Sequence, residues 1–256
     1  MKSRRGNGRV LGSILRGIGP TLIPHRSFRQ RADMFRFRNL LVTALLCLAM
    51  DSQAAAQPPH SFVFALEWIP GFCETKGGSC RLSPQPQKWN IHGLWPEGLQ
   101  NCNSSDVLHR SDIEDLWGNL ERDWVDAINP QDPLKFWAKE WKKHGTCWLN
   151  NENTRNAHDY FSTTLQLYEK FDVSTMLSRQ GITPTEERSY TSAQFLEAFE
   201  GFRPFLHCPT KNDPFITEIL ICLDKQFNPR DCWAQPKSIL ACPQEGIRYL
   251  PKSKVT

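Results

Sequence analysis

The sequence predicts an α+β fold: a mostly antiparallel central sheet with helices packed on one side, stapled by disulfides. Two observations carry that expectation. Strand-like apolar patterns come early and late in the chain with helical patterns between them, and eight of the nine cysteines lie downstream of residue 57. Ser61 to Trp68 alternates Phe62, Phe64, Leu66 and Trp68 on one face, which is the period of a strand. In WNIHGLWP (Trp89 to Pro96), Ile91 and Leu94 flank a short extended run. There His92 precedes a glycine that lets other groups approach closely, and Pro96 stops the strand. Ser111 to Ala127 reads as helical. A helix is expected over Pro133 to Lys143, because FWAKEWKKHGTC carries no glycine or proline until Gly145. Further helices are expected over Ala157 to Phe171, Val173 to Arg179 and Ser192 to Phe199, the last opened by Thr191 with Gln194 three residues on. Phe215 to Leu223 and Ser238 to Ala241 are apolar and β-branched enough for late strands.

The N-terminal part reads differently. NLLVTALLCLAM, holding Cys47, follows MFRFR and ends in the small-residue exit DSQAAAQ, so residues 34–56 are expected to be a secretory signal peptide. The run is too short for a membrane span, which needs about 18 apolar residues. Residues 1–33, rich in Arg and Gly and without apolar periodicity, are read as an extension preceding a true start at Met34. Residues 57–256 are then one domain, large enough for a substantial core and free of repeats or Gly/Ser linkers.

Removing the leader reverses the charge. Residues 1–56 hold 10 Lys/Arg and 2 Asp/Glu, whereas residues 57–256 hold 21 and 25, so a chain of net +4 becomes one of about −4. That balance excludes tight, non-specific nucleic-acid binding, which needs many cationic contacts to phosphates. No C-x-x-C pair is present, and the run before His144 reads Lys-Glu-Trp-Lys-Lys rather than H-E-x-x-H, so neither metal nor cofactor is expected. Eight cysteines in an exported chain allow up to four disulfides, whose pairing the spacing leaves open.

The chemistry-bearing residues gather in two segments. Glu140 and His144 are four apart and share a helix face, Lys143 borders it, and Phe136, Trp137 and Trp141 supply the side that packs. A histidine, His92, at a strand end facing such a helix is an active-site layout. His60, His109, His158 and His207 sit in no recognisable constellation and read as structural.

Ile91-His92-Gly93-Leu94-Trp95-Pro96 and Phe136-Trp137-x-x-Glu140-Trp141-x-Lys143-His144-Gly145-Thr146-Cys147 resemble the two active-site segments of the T2 family of acid ribonucleases. Phe64-Ala65-Leu66-x-Trp68-x-Pro70-x-Phe72-Cys73 is similar to the family's first strand, and Phe215 to Ile219 through Cys222 to its late strand. The resemblance implies disulfides Cys73–Cys80, Cys102–Cys147, Cys208–Cys242 and Cys222–Cys232. It also implies single-stranded RNA as the partner of a metal-free, monomeric enzyme. Lys139 departs from the pattern: family members commonly carry there a histidine that helps hold the phosphate, although others lack it and are active.

The expected chemistry follows from the substrate. RNA carries its own nucleophile, the ribose 2′-OH, so a base that removes its proton and an acid that protonates the leaving 5′-oxygen suffice, leaving 2′,3′-cyclic phosphate ends. Each proton transfer contributes roughly 10²- to 10⁴-fold. His92 is assigned as acid, His144 as base, Lys143 as the cation for the phosphoryl oxygens and Glu140 as their hydrogen-bonding neighbour. Trp95 offers a surface for an unpaired base, worth ~1 to 3 kcal/mol. Lys139 offers a phosphate contact, and Glu97 is a candidate base reader. Export would lead to the periplasm or the extracellular space, or to an acidic vacuole or lysosome in a eukaryote, with no stable membrane association once the signal is removed. Two rivals are a catalytically weakened binding or storage protein of the same fold, which Lys139 makes conceivable, and a carbohydrate-binding module, raised by nine tryptophans.

Overall fold

Strand β1 (Ser61–Trp68) is the hub of the molecule because both of its faces are apolar. The computed structural model describes residues 61–148, 156–232 and 239–253, all within the compact unit Ala56–Thr256. The expected leader, residues 34–56, and the extension before it lie outside the described residues, as does His60. On one face of β1, Phe62, Phe64, Leu66 and Trp68 enter the main core. On the other, Val63 and Ala65 join a smaller cluster.

Every ladder is antiparallel, in the order β2 (Trp89–Pro96), β1, β4 (Glu218–Asp224), β3 (Phe205–His207), with β5 (Pro229–Arg230) also on β4. The β1–β2 register jumps from Ala65↔Gly93 to Leu66↔Ile91. His92 is thus the extra residue of a β-bulge. Bulges re-aim side chains, and here Ile91 and Leu94, three apart, both reach the main core while His92 is sent elsewhere.

Helices cover the large core: α1 (Ile69–Glu74), α2 (Trp117–Asp123), α3 (Leu134–Lys143), α4 (Ala157–Lys170), α5 (Val173–Arg179) and α6 (Ser192–Glu197). Their aromatic residues fasten them to β2. Trp124 Nε1 donates to the His92 carbonyl at 3.0 Å, Tyr160 Oη to that of Leu94 at 3.1 Å, and Tyr168 Oη to that of Trp89 at 2.5 Å. Buried indole and phenol groups need such partners, and these three fix the strand bearing His92 against the helical layer. No helix among the described residues is long and apolar enough to cross a membrane.

Three expected elements are corrected. The helix expected over Ser111 to Ala127 is two 3₁₀ turns, Arg110–Asp112 and Glu114–Leu116, followed by α2. It stops at Trp124 because the Asn90 side chain captures the next peptide, accepting from Val125 N at 2.7 Å and donating to its carbonyl at 3.1 Å. The late strand starts at Glu218 rather than Phe215, since Phe215 bridges to Arg248 and Ile216 N donates to the Arg248 carbonyl at 3.0 Å. Ser238 lies outside the described residues, and Ile239 to Ala241 form only an isolated bridge, His207↔Ala241, beside the Cys208–Cys242 disulfide. The capping box of Thr191 and Gln194 forms as expected.

Candidate active site

The C-terminal end of α3 and the bulge of β2 meet at the site. The last hydrogen bond of α3 runs from His144 N to the Glu140 carbonyl at 2.9 Å, after which His144 leaves helical geometry (φ −120°, ψ −48°). Helix ends leave carbonyls without partners. Here Asn101 N donates to Lys143 O at 2.8 Å, Thr146 Oγ1 donates to Lys142 O at 2.9 Å, and the Cys102–Cys147 disulfide holds the two segments together. Lys142 and Lys143 in the last turn complement the negative end of the helix dipole.

Trp95 stands between the two histidines. Its ring stacks on His144, with centroids 5.3 Å apart, and meets His92 edge-on at 5.0 Å. Its Nε1 donates to Glu140 Oε2 at 3.0 Å. Gly93 makes that contact possible: a Cβ there would collide with both the Glu140 carboxylate and the Trp95 indole. One carboxylate and two imidazoles are therefore gathered around one indole.

The environments of the two histidines are opposite. His92 Nδ1 lies 2.5 Å from Glu218 Oε1. Burial opposes its charge, but the Glu218 hydrogen bond and the carboxylates of Glu218, Glu67 and Glu140 prevail, raising its pKa to about 9. His144 is buried, and its Nδ1 has no hydrogen-bond partner among the described residues. Burial, then the charges of Lys143 and His92, lower its pKa to about 3. Burial also raises the pKa of Glu140, against the pull of His92, Trp95 and Lys143.

A cleft of about 300 Å³ opens beside His92, lined by Glu67, Phe72, Asn129, Lys135, Phe136 and Lys139 among others. Across β1 and β4, Glu67 and Glu218 are direct register partners. Like charges so placed repel. Burial first, and Glu218 with it, raises the pKa of Glu67 to about 7, while Glu218 is held below the usual range by His92 despite its own burial.

A family model described as the Ribonuclease T2 family matches residues 60–232. The chain belongs to that family. The ribonuclease so identified is 34% identical to Ribonuclease T2 of Danio rerio over 177 residues, which is 66% of this chain and 71% of that one. Its fold superposes on human RNase T2 with a TM-score of 0.67 at 29% identity, covering 75% of this chain and 98% of the other. It superposes on RNase NT, crystallised with 5′-AMP, with a TM-score of 0.66 at 28% identity, covering 76% and 99%.

In this T2 chain the residues singled out from the sequence divide into groups. His92, Trp95, Glu140 and His144 come together, with Lys143 exposed beside His144 and Lys139 exposed on the rim of the cleft. The ring expected to receive a base, that of Trp95, is stacked on an imidazole in this structure. Glu97 is engaged by Arg230 at 2.5 Å and by the Ser61 hydroxyl. The four disulfides pair as the resemblance implies. Sequence reasoning missed Glu67 and Glu218, and it read His207 as structural. His207 pairs in register with Glu218, its Nε2 4.0 Å from Glu218 Oε2 while Nδ1 donates to the Leu240 carbonyl at 2.7 Å, contacts that a structural histidine makes. The available signal was the alternation of β1, which sets Glu67 on the face opposite Phe62 and Leu66.

Proposed function

We propose that the protein is an endoribonuclease that cuts single-stranded RNA by metal-independent transesterification, with His92 as general acid and His144 as general base. The observation that supports this reading is the opposite displacement of two imidazoles flanking one indole. A pair of titratable groups pushed apart by their environments marks the acid and the base. With His92 near 9 and His144 near 3, most of the protein at neutral pH carries a charged His92 and a neutral His144.

Nδ1 of His144 is buried, so Nε2 is the nitrogen left to take the 2′-OH proton. The 2′-oxygen attacks phosphorus, and the bond to the 5′-oxygen breaks. Nδ1 of His92 is held by Glu218, so Nε2 delivers the proton to the leaving oxygen. The products are a 2′,3′-cyclic phosphate and a 5′-hydroxyl. Lys143 supplies positive charge to the phosphoryl oxygens, a role that counts most in a water-poor site. Glu140 holds Trp95 and faces the charged His92. Lys139 draws the phosphate chain toward the cleft, and Trp95 presents its remaining surface to a base.

The same reading extends to the compartment. Four disulfides fit an oxidising space, and with residues 34–56 as signal the mature domain, residues 57–256, works as a monomer in the periplasm or outside the cell, or in an acidic vacuole or lysosome. The test is cleavage of purified RNA in EDTA with the ends analysed. Cyclic phosphate ends and untouched DNA are expected. Loss of activity in EDTA that Mg²⁺ restored would overturn the mechanism.

A further inference from the structure

We propose that Lys143, Lys139 and Lys135 form a track for successive phosphates of the RNA strand on the 3′ side of the cut, so that the enzyme selects strands reaching at least two phosphates beyond the scissile one. Four of the ten residues of α3 are lysines, and all four are exposed. They stand on a domain, residues 57–256, that holds 21 Lys/Arg against 25 Asp/Glu, so the positive charge is local to this helix. Its single acid, Glu140, is buried. Lys135, Lys139 and Lys143 recur every four residues and share a face. Each step along that row is about 6 Å, comparable to the separation of successive phosphates in an extended single strand.

The site sets the direction of the strand. His144, the base, stands at the C-terminal end of α3, whereas the ring of His92, the acid, lies 6.3 Å from that of Phe136, about two turns earlier. The acid serves the leaving 5′-oxygen, so the departing strand lies on the His92 side and runs toward the N-terminus of α3. There Lys139 and Lys135 line the cleft. Lys143 then meets the scissile phosphate, Lys139 the next one and Lys135 the one after. Among the described residues, the carboxylate paired with this row is that of Asp132, 3.0 Å from Lys135 Nζ. An exposed pair of this kind holds weakly, so a phosphate can take its place. Of the other acids at the cleft, Asp126 is turned to the backbone N–H groups of Ile128 and Asn129, and Glu67 is buried.

The direction rests on the reading of His92 as the acid; the track does not. The experiment gives the disulfide-bonded protein strands with a single ribonucleotide in an otherwise deoxy chain, so that one bond can be cut. The shortest is a dinucleotide, and the others add one or two phosphates on its 3′ or its 5′ side. At low salt, kcat/KM should rise about two- to fivefold with each 3′ phosphate and little with a 5′ one, and the gain should fade as salt is raised. The gain from the second 3′ phosphate should be lost in Lys135→Ala, grow in Asp132→Asn, and persist in Lys225→Ala, an exposed lysine off α3 that controls for net charge. Affinities for the same strands made uncleavable by a 2′-O-methyl group, read by fluorescence anisotropy, should follow the same pattern without any catalysis. A gain that survives Lys135→Ala in both readouts overturns the track, while cyclic phosphate ends would leave the mechanism standing. An affinity gain lost in Lys135→Ala, without cyclic ends, keeps the track and overturns the mechanism. A gain on the 5′ side that Lys135→Ala removes overturns the proposed direction and exchanges the roles of the two histidines.

Discussion

At the scale of single residues, Glu218 is what sets the two imidazoles apart. It sits 2.5 Å from His92 Nδ1, whereas His144 stacks on an indole and is acted on by burial and by the charges of Lys143 and His92. In EDTA, kcat/KM should rise through the acid side as His144 loses its proton and fall through about pH 9 as His92 loses its own. The expected profile is a broad plateau across neutrality. An alkaline limb centred below pH 7 in the free enzyme would contradict the Glu218 pairing. Either His92→Ala or His144→Ala should abolish nearly all activity. Lys139→Ala should chiefly raise KM, because an exposed amine at the rim of the cleft contacts the phosphate chain rather than the reacting atoms. Steady-state kinetics on all three settle the ranking: a Lys139→Ala defect in kcat as deep as that of His144→Ala would make Lys139 a catalytic group.

At the scale of elements, the end of α3 and the bulge of β2 are each held by one local device. Replacing Cys102 and Cys147 together should destabilise the protein by about 2 to 5 kcal/mol, measured by urea denaturation. It should also depress activity under conditions where the fold persists, since the bridge fixes the turn after His144. Gly93→Ala should cost about 1 to 3 kcal/mol through overpacking against Glu140 and Trp95, with kcat reduced. Full activity in Gly93→Ala would mean that the Trp95–Glu140 contact is dispensable. Most of this scale was readable beforehand. Ser61–Trp68 and Leu134–Lys143 declare themselves by period and by Gly145. The end of α2 does not, because what stops it is an asparagine on β2, 35 residues before the peptide it captures.

For the whole molecule, the histidines and Glu67 link charge to stability in opposing directions. His92, raised to about 9, contributes stability that is complete below its unfolded value near 6.5 and is lost as pH rises through 9. His144, lowered to about 3, withdraws stability as pH falls from 6.5 toward 3, because the unfolded chain takes up a proton that the fold refuses. Glu67, raised from 4.5 to about 7, withdraws stability as pH rises across that interval. Glu67→Gln should therefore gain on the unmutated protein in EDTA as pH rises from 5 to 8, by at most about 3 kcal/mol. Thermal melts across that range test it, and a constant difference between the two proteins would show that Glu67 is ionised throughout. The fold and four site residues were legible in the sequence because two contiguous segments carry them. Glu67, Glu218 and His207 were not, since register alone makes them neighbours and each looks ordinary in its own strand.

The unpaired residue in β2 has a consequence for how this site can be altered. Side chains on a strand alternate strictly, so the face on which His92 emerges is fixed by counting residues rather than by their chemistry. Substitutions can weaken or retune the imidazole but cannot carry it across the sheet. Removing one residue between Ile91 and Leu94 abolishes the bulge in a single step: the odd interval becomes even, the ladder closes, and one position instead of two is left for both the imidazole and the close approach that Gly93 allows. Catalysis here is protected by parity, a property robust to point substitution and defenceless against a one-codon deletion.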